Sequence, residues 1–423
     1  MMRIHTPALL ALLCFLPIAE AFGQVQFGRD LQYFRPPDQR GINVFETPKD
    51  SLVPFTGVQV RVGGSNTLQF QALEHSNSGA EIFDITNNFN LATSNLDLDV
   101  QLHRGLRMHL RTYLSSRHHP QPYVKGGYLQ VDRLDFIREG FLSDVMDRLT
   151  IKVGHMEINY GDAHFRRSDN GQAMFNPFVG NYIMDAFNTE VGAEVIFQSN
   201  GFLAMGSITN GRLNQSVVQP PPGQLSTDPS VLGKIGYDRQ LNEDLRVRLT
   251  GSVYHTAQTR VAYLYTGDRA GSRYYNILTN ESSEFRTPRY NPGFNNQVTA
   301  FMVNPFVKYR GLEFFGLFEN AMGKAEAESD VRTVNHYGAE LIYRVGARER
   351  LFFGGRYNLV KGKHADGNDI EITRVNAGGG WFLTKNVLIK LEYVEQQYAG
   401  FAEGTVFHDG RFRGGMMEAV VSF

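Results

Sequence analysis

Charged side chains at alternate positions are where this 423-residue chain holds its chemistry. Arg107, His109 and Arg111 alternate with Leu106, Met108 and Leu110, and Arg246 and Arg248 alternate with Leu245, Val247 and Leu249. A strand turns successive side chains to opposite faces, so each segment has one ionic and one apolar face. The same phase puts Arg61, Lys152, Lys308, Arg344, Arg356, Arg374 and Lys390 on ionic faces. Asp97, Asp99, Glu190, Glu194, Glu313, Glu319, Glu340, Glu392 and Glu418 fall there too. Basic rings lining a pore favour anions, whereas interleaved acids and bases pair and merely hydrate a wall. The first arrangement selects ions, the second does not, and neither makes bonds.

Bond-making chemistry has weaker support. His75-Ser76 is a nucleophile and base adjacent only in sequence, which does not supply hydrogen-bond geometry, so no enzyme activity is expected. Gly378-Gly379-Gly380 lacks the Lys and Ser/Thr of a phosphate-binding loop and suits close strand packing. Asp366-Gly367-Asn368-Asp369 with Glu371 lacks full calcium-ligand spacing and reads as a hairpin turn. His118-His119 has no third ligand at metal spacing, so neither metal nor cofactor is expected.

The elements that must position the charges are strands. From Val58 onward, alternating segments recur at Leu96–Leu102, Leu149–Val153, Val191–Phe197, Leu245–Val253, Tyr337–Val345, Val375–Trp381 and Val387–Tyr393. The last, Phe412–Phe423, puts Arg413, Gly415, Met417, Ala419, Val421 and Phe423 on one face. A soluble sandwich rarely needs so many charges opposite each apolar face; lipid outside and water inside do. The 43 glycines, 19 tyrosines and 31 phenylalanines suit hairpins and interfacial girdles. Short turns fall at 103–105, 198–201, 240–244, 310–311, 346–349 and 384–386, and longer connections alternate with them. The pattern predicts an all-β transmembrane antiparallel β-barrel of about 16 strands, with short periplasmic turns and long extracellular loops. One periplasmic connection, Leu134–Asp147, is long, and a short amphipathic helix is expected over Phe136–Val145.

Ahead of the barrel, Arg3 precedes the apolar run Ala8–Ala19, which is too short to span a bilayer and is followed by Ala21 and Gly23. Residues 1–23 read as a signal peptide, with Cys14, the only cysteine, inside it. Removing them deletes Arg3 and Glu20 and leaves the net charge at −1, which predicts no nucleic-acid partner. Residues 24–56 read as an N-terminal periplasmic arm or a short plug, and 57–423 as the barrel.

As a pattern of hairpins, nearly all of the chain after the signal peptide resembles the 16-stranded outer-membrane porins. Tyr33-Phe34-Arg35-Pro36, Val44-Phe45-Glu46-Thr47-Pro48, Gly161-Asp162-Ala163-His164-Phe165-Arg166-Arg167 and Asn176-Pro177-Phe178-Val179 are similar, more narrowly, to a porin-like family distantly related to the phosphate-selective porins. The resemblance implies passive diffusion of small hydrophilic solutes, anions among them, across the cell outer membrane. It also implies a third extracellular loop, here Tyr160–Phe187, folded inward as a constriction. Asp162, Arg166, Arg167 and Asp169 would line the eyelet, anchored by Phe175, Phe178 and Tyr182. Implied partners are outer-membrane lipid, the barrel-assembly machinery at the strand ending in Phe423, and further copies in a homotrimer. Two other readings stand beside this one. The first is a closed structural or adhesive surface barrel displaying Ala257–Asn296, which could equally fold over the mouth as a lid. The second, a hydrophobic-solute transporter with a lateral opening, is opposed by the charged lumen.

Overall fold

The computed structural model describes residues 30–49, 53–90, 92–115, 119–211, 222–224, 226–268, 271–281 and 286–423. The expected signal peptide lies outside them. In chain order the strands are β1 (Gln59–Ser76), β2 (Asn88–Phe89), β3 (Thr93–His103), β4 (Leu106–Ser115), β5 (His119–Val131), β6 (Leu149–Glu157), β7 (Thr189–Ser199), β8 (Phe202–Thr209) and β9 (Ser230–Gln240). They continue as β10 (Leu245–Thr256), β11 (Gln297–Tyr309), β12 (Leu312–Lys324), β13 (Arg332–Val345), β14 (Leu351–Lys363), β15 (Asp369–Thr384), β16 (Val387–Ala399) and β17 (Arg411–Ser422). Apart from the two-residue β2, each long strand pairs antiparallel with its neighbours. β1 closes the ring on β3 (Gln59↔Gln101) and on β17 (Ser65↔Ser422). The result is a closed 16-stranded barrel.

Alternation sets which way each side chain points. Leu249, Leu341, Leu391 and Trp381 are more than half exposed on the outer face. Their strand neighbours Arg248, Glu340, Lys390 and Phe382 are buried inside. An exposed apolar belt around a closed barrel fits lipid and not water, and closing the ladder pairs the strand edges that a bilayer would not tolerate. The six short turns expected from sequence all lie at one end. Ser422 N–H bonds to the Asn386 carbonyl there, which makes it the end where β17 finishes.

The helix expected over Phe136–Val145 is instead a single four-residue turn, α1 (Ser143–Met146). Gly140 at φ 71° and Leu142 at φ 52° are both left-handed and break the run before a helix can propagate.

Candidate permeation site

The loop joining β6 to β7, residues 158–188, does not stand above the rim. It crosses the lumen, and its polar groups can be followed around the inner wall. Gly161 N–H donates to Ser252 Oγ on β10, and Asp162 N–H to Asn304 Oδ1 on β11. Arg166 reaches Glu313 on β12 at 2.7 Å and Glu340 on β13 at 2.8 Å. The loop tip meets β1 and β3, where Thr67 donates to the Gly171 carbonyl and Asn95 to that of Asp169. Contact is so close there that a Cβ on Gly171 would lie 2.4 Å from the Ser65 carbonyl oxygen, so only glycine fits. Lys390 on β16 then donates to the carbonyls of Ala173, Asn176 and Phe178, and Glu392 accepts from Val179 N–H. The loop thus runs along β10–β17 and β1, reaches β3–β5 through Asp169, and leaves a cavity between itself and the β3–β7 wall.

Two further segments fill the lumen around it. Residues 30–49 enter from the end bearing the short turns, where Gln39 is held by the carbonyls of Lys385, Arg348 and Glu349. Deeper in, Asn43 donates to Glu313 Oε2, and the Phe45 ring packs edge-on against Phe165 and Phe306. Glu46 pairs with Lys234 at 2.8 Å and Arg248 at 2.7 Å. At the other end, described parts of the 257–296 loop fold inward. Tyr265 donates to Glu319, Tyr274 to Glu392, and Arg273 pairs with Glu418 at 2.9 Å. Tyr274 and Tyr275 are buried, whereas Tyr263 is half-buried.

The four expected eyelet residues divide into two roles. Asp162 sits between Lys234 and Arg248, each at 2.7 Å, and Arg166 sits between two glutamates; neither lines open space. Arg167 and Asp169 do. Arg167 pairs with Asp185 and Asp268 and lies 3.9 Å from the Phe187 ring centroid, and Asp169 pairs with Lys125 and, at 3.4 Å, Arg111. Burial pushes the Asp162 carboxyl up, but Lys234 and Arg248 outweigh it and hold its pKa at about 2. Glu46 is likewise held well below the usual carboxylate range: burial opposes this, and Arg248 and Lys234 prevail. Of the expected anchors, Phe178 and Tyr182 are buried on the wall, while Phe175 stacks under Arg35.

The wall charges divide in the same way. Arg356 with Glu340, Lys390 with Glu418, Arg248 with Asp162, and Arg374, which donates to the Asn181 carbonyl, fasten the filled side. Arg246, Lys308 and Arg344 pair with Asp238, Glu349 and Glu313 near the short turns. Arg107, Arg111 and Lys152 line a cavity of about 240 Å³ along β3–β7, bounded by Arg35 and Phe45 of the entering segment and by Phe165, Arg167 and Asp169 of the loop. Arg61 lies beside it, paired with Asp99.

Sequence reasoning passed over Lys125, Lys234, Glu46 and Asp268. Lys125 falls where β4 and β5 shift register between Arg111 and Thr112, so strict alternation is interrupted. Lys234 lies between Gly233 and Ile235, with Gly236 beyond, too little apolar contrast to mark a face.

No protein-family model matches the sequence, and no curated protein matches it. Solved structures do match. In-vitro folded OmpT, an outer membrane protein of Vibrio cholerae, is 12% identical, with a TM-score of 0.53 over 88% of this chain and 100% of that chain. The anion-selective porin from Comamonas acidovorans is 12% identical, at 0.51 over 86% and 100%. The outer membrane channel DcaP of Acinetobacter baumannii is 11% identical, at 0.51 over 88% and 99%. At such identity the likeness is one of fold. Together with the closed ring of strands and the apolar belt, it makes this chain a 16-stranded outer-membrane β-barrel with the porin fold.

Proposed function

We propose that the barrel is a passive diffusion channel for small hydrophilic solutes, anions among them, with the 158–188 loop as its constriction. The observation behind this is the one-sided course of that loop: it fastens to β10–β17 and leaves a polar cavity along β3–β7. Residues 24–56 act as a plug from the periplasmic side, a reading supported by the contacts of Asn43, Phe45 and Glu46 deep in the lumen. The cavity is below the roughly 300–1,000 Å³ of a drug-sized pocket, which favours small solutes. The inward packing of Tyr274 and Tyr275 favours a channel over a barrel that displays the 257–296 loop as an adhesin. Homotrimeric assembly, and recognition of the strand ending at Phe423 by the assembly machinery, complete the proposal.

Purified, refolded protein in a planar bilayer tests it. Discrete current steps are expected, whereas silence from a folded, inserted barrel would sink the channel reading.

A further inference from the structure

Arg35 does not belong to the wall or to the constricting loop; it arrives on the segment that enters from the periplasmic end. Its guanidinium lies 3.7 Å from the Phe175 ring centroid and 5.7 Å from that of Phe165. Nε donates to the Gly41 carbonyl at 3.0 Å and Nη2 to that of Phe165 at 2.9 Å. A Cβ on Gly41 would lie 2.0 Å from the Pro36 carbonyl oxygen, so the tight return that brings this carbonyl to Arg35 requires glycine. Two carbonyls and two rings fix the side chain, and Nη1 is left without a hydrogen bond among the described residues.

The other lysines and arginines lining the cavity all have carboxylate partners. Arg107 pairs with Asp99, Arg111 with Asp97, Lys125 with Asp169, Lys152 with Glu194, and Arg167 with Asp185. Arg35 has none within ion-pair distance among the described residues. The carboxylates whose fields reach it are engaged elsewhere: Glu157 accepts a hydrogen bond from His164 at 2.6 Å, and Glu46 is held by Lys234 and Arg248. Paired charges cancel at the distance of a passing ion, whereas a lone fixed cation in a narrow polar passage does not.

We propose that Arg35 is the specificity-determining residue of the channel and gives it a preference for anions, so that selectivity resides on the N-terminal segment rather than on the barrel wall. This rests on the channel reading above. Arg35 is among the residues lining the cavity, and with Nε and Nη2 held by carbonyls, Nη1 carries the N–H groups left for a small anion such as chloride.

The reversal potential across a potassium chloride gradient, measured on single channels of the refolded full chain, tests it. The unaltered protein should favour chloride. Arg35→Gln should move the chloride-to-potassium permeability ratio about threefold toward potassium, Arg35→Glu should move it further, and Arg35→Lys should retain the preference. Arg40→Gln removes an equal charge from the exposed side of the same segment and should leave the ratio unchanged. Current steps in Arg35→Gln with an unchanged ratio would overturn the proposal and leave the channel standing, as would an equal shift in Arg40→Gln. Absence of steps in the unaltered protein would overturn both.

Discussion

Lys390 on β16 and Lys152 on β6 are both inward-facing lysines at alternating positions, yet they end in different surroundings. The Lys390 ammonium donates to three loop carbonyls, pairs with Glu418 at 2.5 Å, and is 1% exposed. Lys152 pairs with Glu194 at 3.1 Å and keeps 23% of its side chain exposed toward the cavity. Strand pattern places both, and the course of one loop decides what each can do. On the β10–β17 side charge is structural, because the loop's backbone and side chains consume it. On the β3–β7 side the wall charges pair with one another and border an open cavity.

The largest separation should come from removing the filled-side cation. Lys390→Met leaves the three carbonyls unbonded and Glu418 paired only with Arg273. Breaking one partner of a buried pair costs about 3–5 kcal/mol. A lower denaturation midpoint and larger, noisier current steps are expected, from a constriction loop lifted off β16. Gly171→Val attacks the same loop at its tip, where a Cβ collides with the Ser65 carbonyl. Single-channel conductance should rise here too, with a smaller loss of stability because no charge is orphaned.

Acid should weaken the pairs that hold the loop and the entering segment against the filled side. Asp162 and Glu46 have folded pKa values below the ordinary carboxylate range of about 4, so their pairing contributes fully above that pH and is lost as pH falls through the folded values, about 2 for Asp162. Conductance should therefore change little in this respect between neutrality and about pH 4 and rise below it. A rise centred near pH 6 would point to a histidine instead. Tyr274→Phe removes two buried hydroxyl bonds, one to Glu392 and one from Asn376, each worth about 1 kcal/mol, and should lower the thermal midpoint while leaving selectivity unchanged.

The wall was legible in the sequence because period-two alternation is local: Arg246 and Arg248 point inward for the same reason that Leu249 points to lipid. The inward fold of residues 158–188 was expected from resemblance and from the aromatic content of the loop, not from any spacing rule. What local pattern could not show is which charges meet. Asp162 finds Lys234 and Arg248 across 72 and 86 residues, and Glu46 finds the same pair from the other end of the lumen. Arg35, set in a proline-containing stretch with no periodicity, stood out only as part of the Tyr33-Phe34-Arg35-Pro36 resemblance, which assigned it no role. The short helix missed its expected length because two left-handed residues, Gly140 and Leu142, override the amphipathic spacing.

The central claim is that solutes pass along β3–β7 and not along β10–β17, and thiol accessibility tests it most directly. The only native cysteine, Cys14, lies in the expected signal peptide, so an introduced cysteine stands alone in the processed chain. His155→Cys on β6 lines the cavity, and Asn376→Cys on β15 is buried beneath Tyr274, to whose hydroxyl Asn376 donates at 2.9 Å. A charged methanethiosulfonate reagent added during single-channel recording should reduce current stepwise through His155→Cys and leave Asn376→Cys unaffected. Block through Asn376→Cys with no effect at His155→Cys would place the path on the opposite side of the lumen and contradict the account.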